Sequence, residues 1–392
     1  MEQAKIAHAE KIRKLRQLRQ QQQVLRKRNL RVVVKNGIGP ISGLVNIGNT
    51  CYMNSVLQCL RHSNLCKYLL GKGFAQDKVC FTNRSPVEQG FLAEIRNLMI
   101  NLENDQKTAQ RPVKFLKMLA MFNKSFAGFQ QADAQECLDT ILQTLHNALR
   151  LNVTISVNQG KGNSKTNDKL RKALSQYESH LNHGGYSVID ELFGSQFESK
   201  LTCLRCGHIW VSYDPYCLVP VEIPAKAISL YDCLDQFMKT EELEEVTCEN
   251  CSKQHGKTTV HKQFRLWTLP KILVIQLKRF NGNHAGVLRK FDKFVQAPLK
   301  LNITKYVSHP KVVSQVNQNP AALQLYNLKS MICHSGQLRG GHYTAKCFRD
   351  GEGWFEINDD YSRKITNANE LQSSLNYIFF YEISPETNRW WG

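Results

Sequence analysis

The chain has 392 residues, of which 42% are hydrophobic and 9% aromatic, and it carries a formal net charge of +19. A chain of this length can bury a large core without disulfide bonds, and its composition is that of a globular protein. No apolar run approaches the roughly 20 residues that span a bilayer, so we expect a soluble protein without membrane contact. No apolar stretch follows the first charged residues, which predicts an intracellular protein in the nucleus or the cytoplasm.

The positive charge is concentrated in the first residues of the chain. Residues 1–35 contain 11 Lys or Arg against Glu2 and Glu10, a net charge of +9. Residues 4–30 lack Gly and Pro and have loosely helical apolar spacing, so we predict an exposed helix within a basic N-terminal extension, 1–36. Such a segment can bind nucleic acid, an acidic protein face or a nuclear import receptor, and a solvated helix without a partner is the alternative.

Helical patterns dominate the part of the chain that follows. A helix is expected directly after Cys51, with Asn49 or Thr50 as its N-cap. Apolar residues at helical spacing predict further helices over 87–102, Val113–Phe122 and 132–149. Residues 159–182 are polar and begin with a Gly-, Ser- and Asn-rich run, which predicts a flexible segment inside a polar insertion at about 152–185.

Strand patterns dominate the second half of the chain. Short segments that alternate between apolar and polar residues predict strands over 196–201, 209–213, 219–223, Ile272–Leu277, 326–333, 343–348, 354–357 and 377–381. Because helices come first and strands later, the order of elements favours the α+β class.

A candidate nucleophile lies in residues 43–55, which read GLVNIGNTCYMNS. A thiol attacks a carbonyl only as the thiolate, and the unpaired amides at the start of a helix after Cys51 would favour that anion. Asn46 could donate its side-chain amide to the oxyanion that forms on the attacked carbonyl. The alternative is that Cys51 is a buried structural thiol.

A candidate base lies far downstream, in residues 340–345, GGHYTA, followed by WFEINDD at 354–360. His342 titrates in the range that proton transfer to and from a thiol requires. Asn358 or Asp359 could hold its ring in the right tautomer as the third member of a triad. From these residues alone, a loop histidine and a strand-end turn without chemistry remain open.

Two Cys-x-x-Cys pairs predict a metal site. The pairs are Cys203 with Cys206 and Cys248 with Cys251, separated by 41 residues. Four thiolates satisfy zinc in a tetrahedral arrangement, and such a site is structural because no position stays open for water. A redox dithiol needs only one pair and would not explain the second.

These motifs resemble those of the ubiquitin-specific protease family over roughly residues 43–382. The segment 131–138, QADAQECL, is similar to the family's QQDAxEFL, and 275–280, IQLKRF, is similar to its LKRF strand. Ala132 and Cys137 depart from the first of these two patterns, where the family has a glutamine and an aromatic residue.

The resemblance implies a papain-like cysteine protease of the α+β class. It implies a catalytic domain over 43–383, with a helical thumb near 43–150, zinc-binding fingers near 192–262 and a β-rich palm near 264–383. The site residues implied are Cys51 as nucleophile, His342 as general base, Asn358 as third triad member, Asn46 as oxyanion donor and Asp359 as an acidic neighbour that assists the oxyanion or the histidine.

The reaction implied is hydrolysis of the bond after the C-terminal glycine of ubiquitin, through a thioester. Ubiquitin and ubiquitinated proteins are the partners that follow from it, and structural zinc is the cofactor. A protease for another ubiquitin-like modifier, a ubiquitin-binding zinc protein without turnover, and a nucleic-acid-binding zinc protein are the alternatives.

Overall fold

The computed structural model describes residues 41–71, 74, 85–104, 108–128, 130–151, 165–251, 256–282, 288–308, 324–337 and 340–385. The basic extension 1–36 lies outside the described residues. Within the described ranges, no helix combines the length and the apolar character that a membrane crossing requires.

The helices confirm the helical first half of the chain. They are α1 (Cys51–Arg61), α2 (Asn64–Leu70), α3 (Pro86–Asn104), α4 (Val113–Phe122), α5 (Ala134–Leu149), α6 (Lys165–Gly184), α7 (Val188–Leu192) and α8 (Leu230–Phe237). Apolar residues of α1 to α5 and α7 recur at helical spacing and face one core, as the buried residues of α5 show: Leu138, Ile141, Leu142 and Leu145.

The prediction of a flexible segment over 159–182 is wrong for its larger part, because Lys165–Gly184 is a helix. Ala173 and Leu181 lie on one face of α6 and are only 2% and 1% exposed. The amide of Tyr213 donates to Oε1 of Gln176 at 2.6 Å, which fixes the helix against a neighbouring strand. Ala173 and Leu181 are eight positions apart, about two turns of helix, and the polar residues on the other face of α6 conceal this spacing in the sequence.

The strands are β1 (Ser195–Cys203), β2 (Ile209–Tyr216), β3 (Val219–Val221), β4 (Glu241–Thr247), β5 (Lys257–Thr268), β6 (Ile272–Leu277), β7 (Phe280–Gly282), β8 (Leu288–Lys290), β9 (Lys300–Asn302), β10 (Leu325–Gln337), β11 (Gly340–Arg349), β12 (Gly353–Asn358), β13 (Tyr361–Lys364) and β14 (Asn376–Ile383). Every predicted strand is confirmed.

Two sheets contain twelve of these strands, and β7 and β8 form a separate two-stranded sheet. The small sheet has the order β2-β1-β5-β4, and the large sheet has the order β13-β12-β11-β10-β14-β6-β3, with β9 paired to β10. The strand pairs are antiparallel except for β3 with β6. Helices at one side of mainly antiparallel sheets make an α+β protein, as predicted.

The large sheet is covered on both faces, and this determines where the site lies. Along β14, Ile378 and Phe380 pack with the core that the helices form, whereas Phe379 and Tyr381 pack into a second core on the opposite face. Tyr343 and Ala345 of β11 also join the helical core. The helical layer is therefore pressed onto the strands that carry the candidate histidine and asparagine.

Candidate active site and metal centre

Cys51 is the first residue of α1, and the loop before it determines how the helix begins. Thr50 occupies the N-cap position, but the expected side-chain cap does not form, because its Oγ1 accepts from the amide of Ile47 at 3.1 Å. Oδ1 of Asn46 instead accepts from the amide of Thr50 at 3.1 Å. Asn49 has a φ of 53°, a left-handed conformation that asparagine tolerates. These polar groups therefore hydrogen-bond within the loop, and the first backbone amides of α1 are left to contact the Cys51 thiol.

The thiol lies beside the strand of the candidate histidine. Burial raises the pKa of Cys51, which is 4% exposed, and the carboxylate of Asp359 also raises it, whereas the amides of Tyr343, Tyr52 and Cys51 itself lower it. Burial outweighs the amides, so the isolated thiol is neutral and needs a base. Because the amide of Tyr343 contacts the sulfur, the backbone of the preceding residue, His342, lies close to the candidate nucleophile.

His342 pairs with Asn358. It lies near the start of β11, and its side chain is 39% exposed. Nε2 of His342 lies 2.6 Å from Oδ1 of Asn358 but 4.0 Å from Oδ2 of Asp359, which is too long for a hydrogen bond. The sequence left both residues as candidates, and the geometry gives the histidine contact to Asn358.

Asp359 has a different set of contacts. It forms the two-residue turn between β12 and β13 with Asp360, and its φ of 49° is left-handed. Its carboxylate accepts from Nδ2 of Asn46 at 2.9 Å and from Nδ2 of Asn54 at 2.8 Å. Asp359 therefore anchors the loop before Cys51 and the first turn of α1 to the hairpin that carries Asn358.

The backbone makes the same connection. The amide of Leu44 donates to the carbonyl of Asp359 at 2.8 Å. A Cβ at Gly43 would lie 2.4 Å from that carbonyl oxygen, so only glycine fits the close approach. The glycine that opens the cysteine motif is explained by packing against the hairpin.

Sequence reasoning missed the role of Asn54. This residue is 2% exposed and donates both to the carboxylate of Asp359 and to the carbonyl of Leu44, at 3.1 Å. The signal was its place one helical turn after the nucleophile, where a polar residue would otherwise point into the apolar core.

The segment 131–138 joins the helices to the large sheet. Asp133 is the N-cap of α5, and its carboxylate oxygens accept from the hydroxyl of Tyr377 on β14 at 3.0 and 2.9 Å. Cys137, one of the departures from the family pattern, is completely buried, and Ala132 is half-buried against the helical core. Small residues at these two positions are accommodated inside the packing.

The two cysteine pairs meet at the end of the small sheet, as predicted. The sulfurs of Cys203, Cys206, Cys248 and Cys251 all lie within 4.8 Å of one another. Sγ of Cys203 is 3.8 Å from that of Cys251, and Sγ of Cys206 is 3.7 Å from that of Cys248. A tetrahedral ion at about 2.3 Å from each sulfur requires sulfurs about 3.8 Å apart, so the four residues could hold a metal ion.

Backbone amides lower the pKa of both cysteines of the first pair, Cys203 and Cys206, and so favour their thiolate forms. The amide of Cys206 is the main cause that lowers the pKa of Cys203 to about 6. The amide of His208 is the main cause that lowers the pKa of Cys206. Deprotonated sulfurs are the form that binds metal ions.

This architecture is that of a papain-like cysteine protease with thumb, palm and fingers, in which the fingers carry the four-cysteine cluster, and the fold class expected from the sequence is confirmed. The family model described as ubiquitin carboxyl-terminal hydrolase matches residues 42–381, and the chain belongs to that family. The resemblance drawn from the motifs is confirmed as well.

Two curated relatives illustrate the match. The chain is 31% identical over 358 residues to ubiquitin carboxyl-terminal hydrolase 2 of Homo sapiens, an alignment that covers 89% of this chain and 56% of the relative. It is 31% identical over 374 residues to ubiquitin carboxyl-terminal hydrolase 5 of Saccharomyces cerevisiae, covering 87% of this chain and 44% of the relative. The chain thus spans about half the length of these relatives.

Solved structures agree with the family assignment. The SAGA Ubp8/Sgf11/Sus1/Sgf73 DUB module bound to ubiquitin aldehyde contains a chain that is 26% identical, with a TM-score of 0.67, and the match covers 88% of this chain and 69% of that chain. The module bound to monoubiquitin matches at 25% identity and the same TM-score of 0.67, covering 90% and 72%.

Proposed function

We propose that the chain is a cysteine-type deubiquitinase that hydrolyses the peptide or isopeptide bond after the C-terminal glycine of ubiquitin. The observation that supports the proposal is the contact between the amide of Tyr343 and the Cys51 thiol, because His342 is the adjacent residue on β11. Membership of the ubiquitin carboxyl-terminal hydrolase family and the likeness to chains bound to ubiquitin support the modifier.

The contact to Asn358 assigns the proton positions on His342. Oδ1 of an asparagine only accepts, so Nε2 of His342 carries the proton that it donates there. In the neutral ring, Nδ1 is then the free acceptor, and it removes the proton from the Cys51 thiol. The thiolate attacks the glycine carbonyl, His342 returns the proton to the leaving amine, and water activated by the same nitrogen resolves the thioester.

Asn46 serves as the oxyanion donor in this mechanism. One N–H of its Nδ2 bonds to the carboxylate of Asp359, which leaves the second N–H for the developing charge. Asp359 assists the oxyanion by holding that amide in place. The negative charge of Asp359 also raises the pKa of the Cys51 thiol. Such preorganised donors typically contribute a factor of about 100 to 1,000 in rate.

The subdomains follow from the elements. We assign α1 to α5 to a thumb over 43–150, most of the small sheet to fingers over 192–262 and the large sheet, apart from β3, to a palm over 264–383. The insertion at about 152–185 contributes α6, which covers the edge strand β2 of the fingers. Cys203, Cys206, Cys248 and Cys251 would hold a structural zinc ion, which would connect the β1–β2 turn to the β4–β5 turn of the fingers.

Ubiquitin and ubiquitinated proteins are the proposed partners. The extension 1–36, with its net charge of +9 over residues 1–35, is proposed to contact nucleic acid or an acidic protein and to favour the nucleus over the cytoplasm. Deleting 1–36 should then shift the protein toward the cytoplasm, and an unchanged distribution in cells would contradict this assignment.

The function is tested with fluorogenic amides attached to the C-terminus of ubiquitin and of other ubiquitin-like modifiers. The native chain should release the fluorophore from ubiquitin, and Cys51→Ala should not. Release of the fluorophore from another modifier but not from ubiquitin would identify that modifier as the substrate. Tight ubiquitin binding without release by the native chain would indicate a binding protein.

A further inference from the structure

An exposed glutamine links the helical part of the chain to the strand that carries His342. Nε2 of Gln131 donates to the carbonyl of Gly341 at 3.0 Å, and the amide of Gly341 donates to Oε1 of Gln131 at 3.0 Å. One side-chain amide thus pairs with both polar groups of one backbone residue, as a neighbouring strand would. Two bonds fix the orientation of that residue as well as its position.

Gly341 is confined on its other side by a buried ring. A Cβ at this position would lie 1.9 Å from Nε2 of His334, which is 1% exposed and whose ring centroid lies 4.5 Å from that of Tyr343. Gly341 is therefore held between the ring of His334 and the amide of Gln131. The next residue is His342, and the one after it contacts the Cys51 thiol.

We propose that Gln131 is a positioning residue that keeps His342 within proton-transfer reach of Cys51. The inference rests on the proposed function, because it concerns the placement of the base. Gln131 precedes α5, and its pairing with Gly341 fixes the beginning of β11 against the helical layer, two residues before the amide that contacts the Cys51 thiol.

A purely structural role fits the contacts less well. The same junction is held independently by Asp133, whose two carboxylate oxygens share the hydrogen bond that the hydroxyl of Tyr377 donates. Gln131 itself is exposed, so its removal leaves the buried core intact. Its loss should move the base rather than unfold the chain.

The first test compares Gln131→Ala and Gln131→Met with the native chain, using a fluorogenic ubiquitin amide. Met keeps the length of the side chain but cannot pair with Gly341, so both variants should lower kcat about 10- to 100-fold, the loss expected from a displacement of about 1 Å. KM and Tm should stay near the native values. Gln130→Ala, at the adjacent exposed glutamine, is the matched control and should match the native kcat.

The second test reads the base directly and does not require ubiquitin. Iodoacetamide alkylates Cys51, and mass spectrometry of the Cys51 peptide measures the rate at each pH. We expect the rise of this rate with pH to occur at a higher pH in Gln131→Ala than in the native chain. A raised KM with native kcat and a native alkylation profile would make Gln131 a substrate contact and overturn the inference. If the native chain hydrolyses no ubiquitin amide, the proposed function fails, while the alkylation profile still decides the role of Gln131.

Discussion

Nε2 of His342 lies 2.6 Å from Oδ1 of Asn358, in a hairpin whose next residue, Asp359, turns its carboxylate to Asn46 and Asn54 instead. Two adjacent residues thus divide two tasks. Asn358 contacts the imidazole of His342, and Asp359 holds the loop before Cys51. An asparagine orients the ring without adding a negative charge, so charge near the thiol comes from Asp359.

Replacing Asn358 separates these tasks. Asn358→Ala should lower kcat about 100-fold, because the imidazole loses the acceptor that fixes its tautomer. Asn358→Asp should retain most of the rate, since a carboxylate accepts the same hydrogen bond. Steady-state kinetics with a fluorogenic ubiquitin amide measure both variants. If Asn358→Ala kept the native kcat while Asp359→Ala abolished it, Asp359 would be the third catalytic group.

The metal site should be structural and specific for its four cysteines. The native chain should contain one zinc ion per molecule by elemental analysis, and Cys206→Ala should lose the ion and lower Tm. Cys217→Ala, at a half-buried cysteine outside the cluster, serves as control and should keep the zinc. A chain that retains full Tm after the zinc is removed by a chelator would contradict a structural role.

The packing of α6 predicts a clear effect on stability. Leu181→Ala should lower the free energy of unfolding by about 2–5 kcal/mol, because the side chain is 1% exposed and its removal leaves a cavity. Lys172→Ala, on the exposed face of the same helix, should change the free energy of unfolding by less than about 0.5 kcal/mol. Denaturant titrations measure both. Equal small effects would show that α6 is not docked.

His146 predicts how stability depends on pH. A hydrogen bond with Asp190 is the main cause that raises the pKa of His146, and its Nε2 contacts the carbonyl of Gly184 at 3.1 Å, so both ring nitrogens face acceptors. Burial and the charge of Arg150 lower the pKa of His146 less than these contacts raise it. The raised pKa of His146 stabilises the fold, and this stabilisation is fully present below about pH 6.5, the pKa of histidine in the unfolded chain. It is lost as pH rises through the pKa of His146 in the folded chain.

The pKa of Asp190 shifts the other way. Burial raises the pKa of Asp190, but the hydrogen bonds with His146 and from Ser187 lower it by more than burial raises it. The contribution of Asp190 to stability is therefore lost as pH falls below about 3.9. His146→Gln should therefore cost the most stability between about pH 4 and pH 6.5 and less at pH 9. Denaturant unfolding of both chains across this range is the measurement. A cost that grows with pH would contradict the assigned protonation.

The sequence was sufficient for the motifs and for most elements, but it missed α6, β4 and β5, and it did not give the contacts between elements. The spacing around Cys51 and His342 indicated both motifs, because nucleophile and base chemistry demand particular residue types. The choice between Asn358 and Asp359 depended on the turn between β12 and β13, where one residue of difference changes which side chain faces the ring. Gln131 and Asn54 act through partners more than 200 residues away, which local patterns do not encode.

The most direct measurement uses ubiquitin that carries a C-terminal thiol-reactive group, with the adduct located by mass spectrometry of the digested chain. One adduct per molecule should form on Cys51, be absent from Cys51→Ala and form more slowly in His342→Ala. An adduct on a different cysteine, or none on a chain that still binds ubiquitin, would contradict the assignment of nucleophile and base.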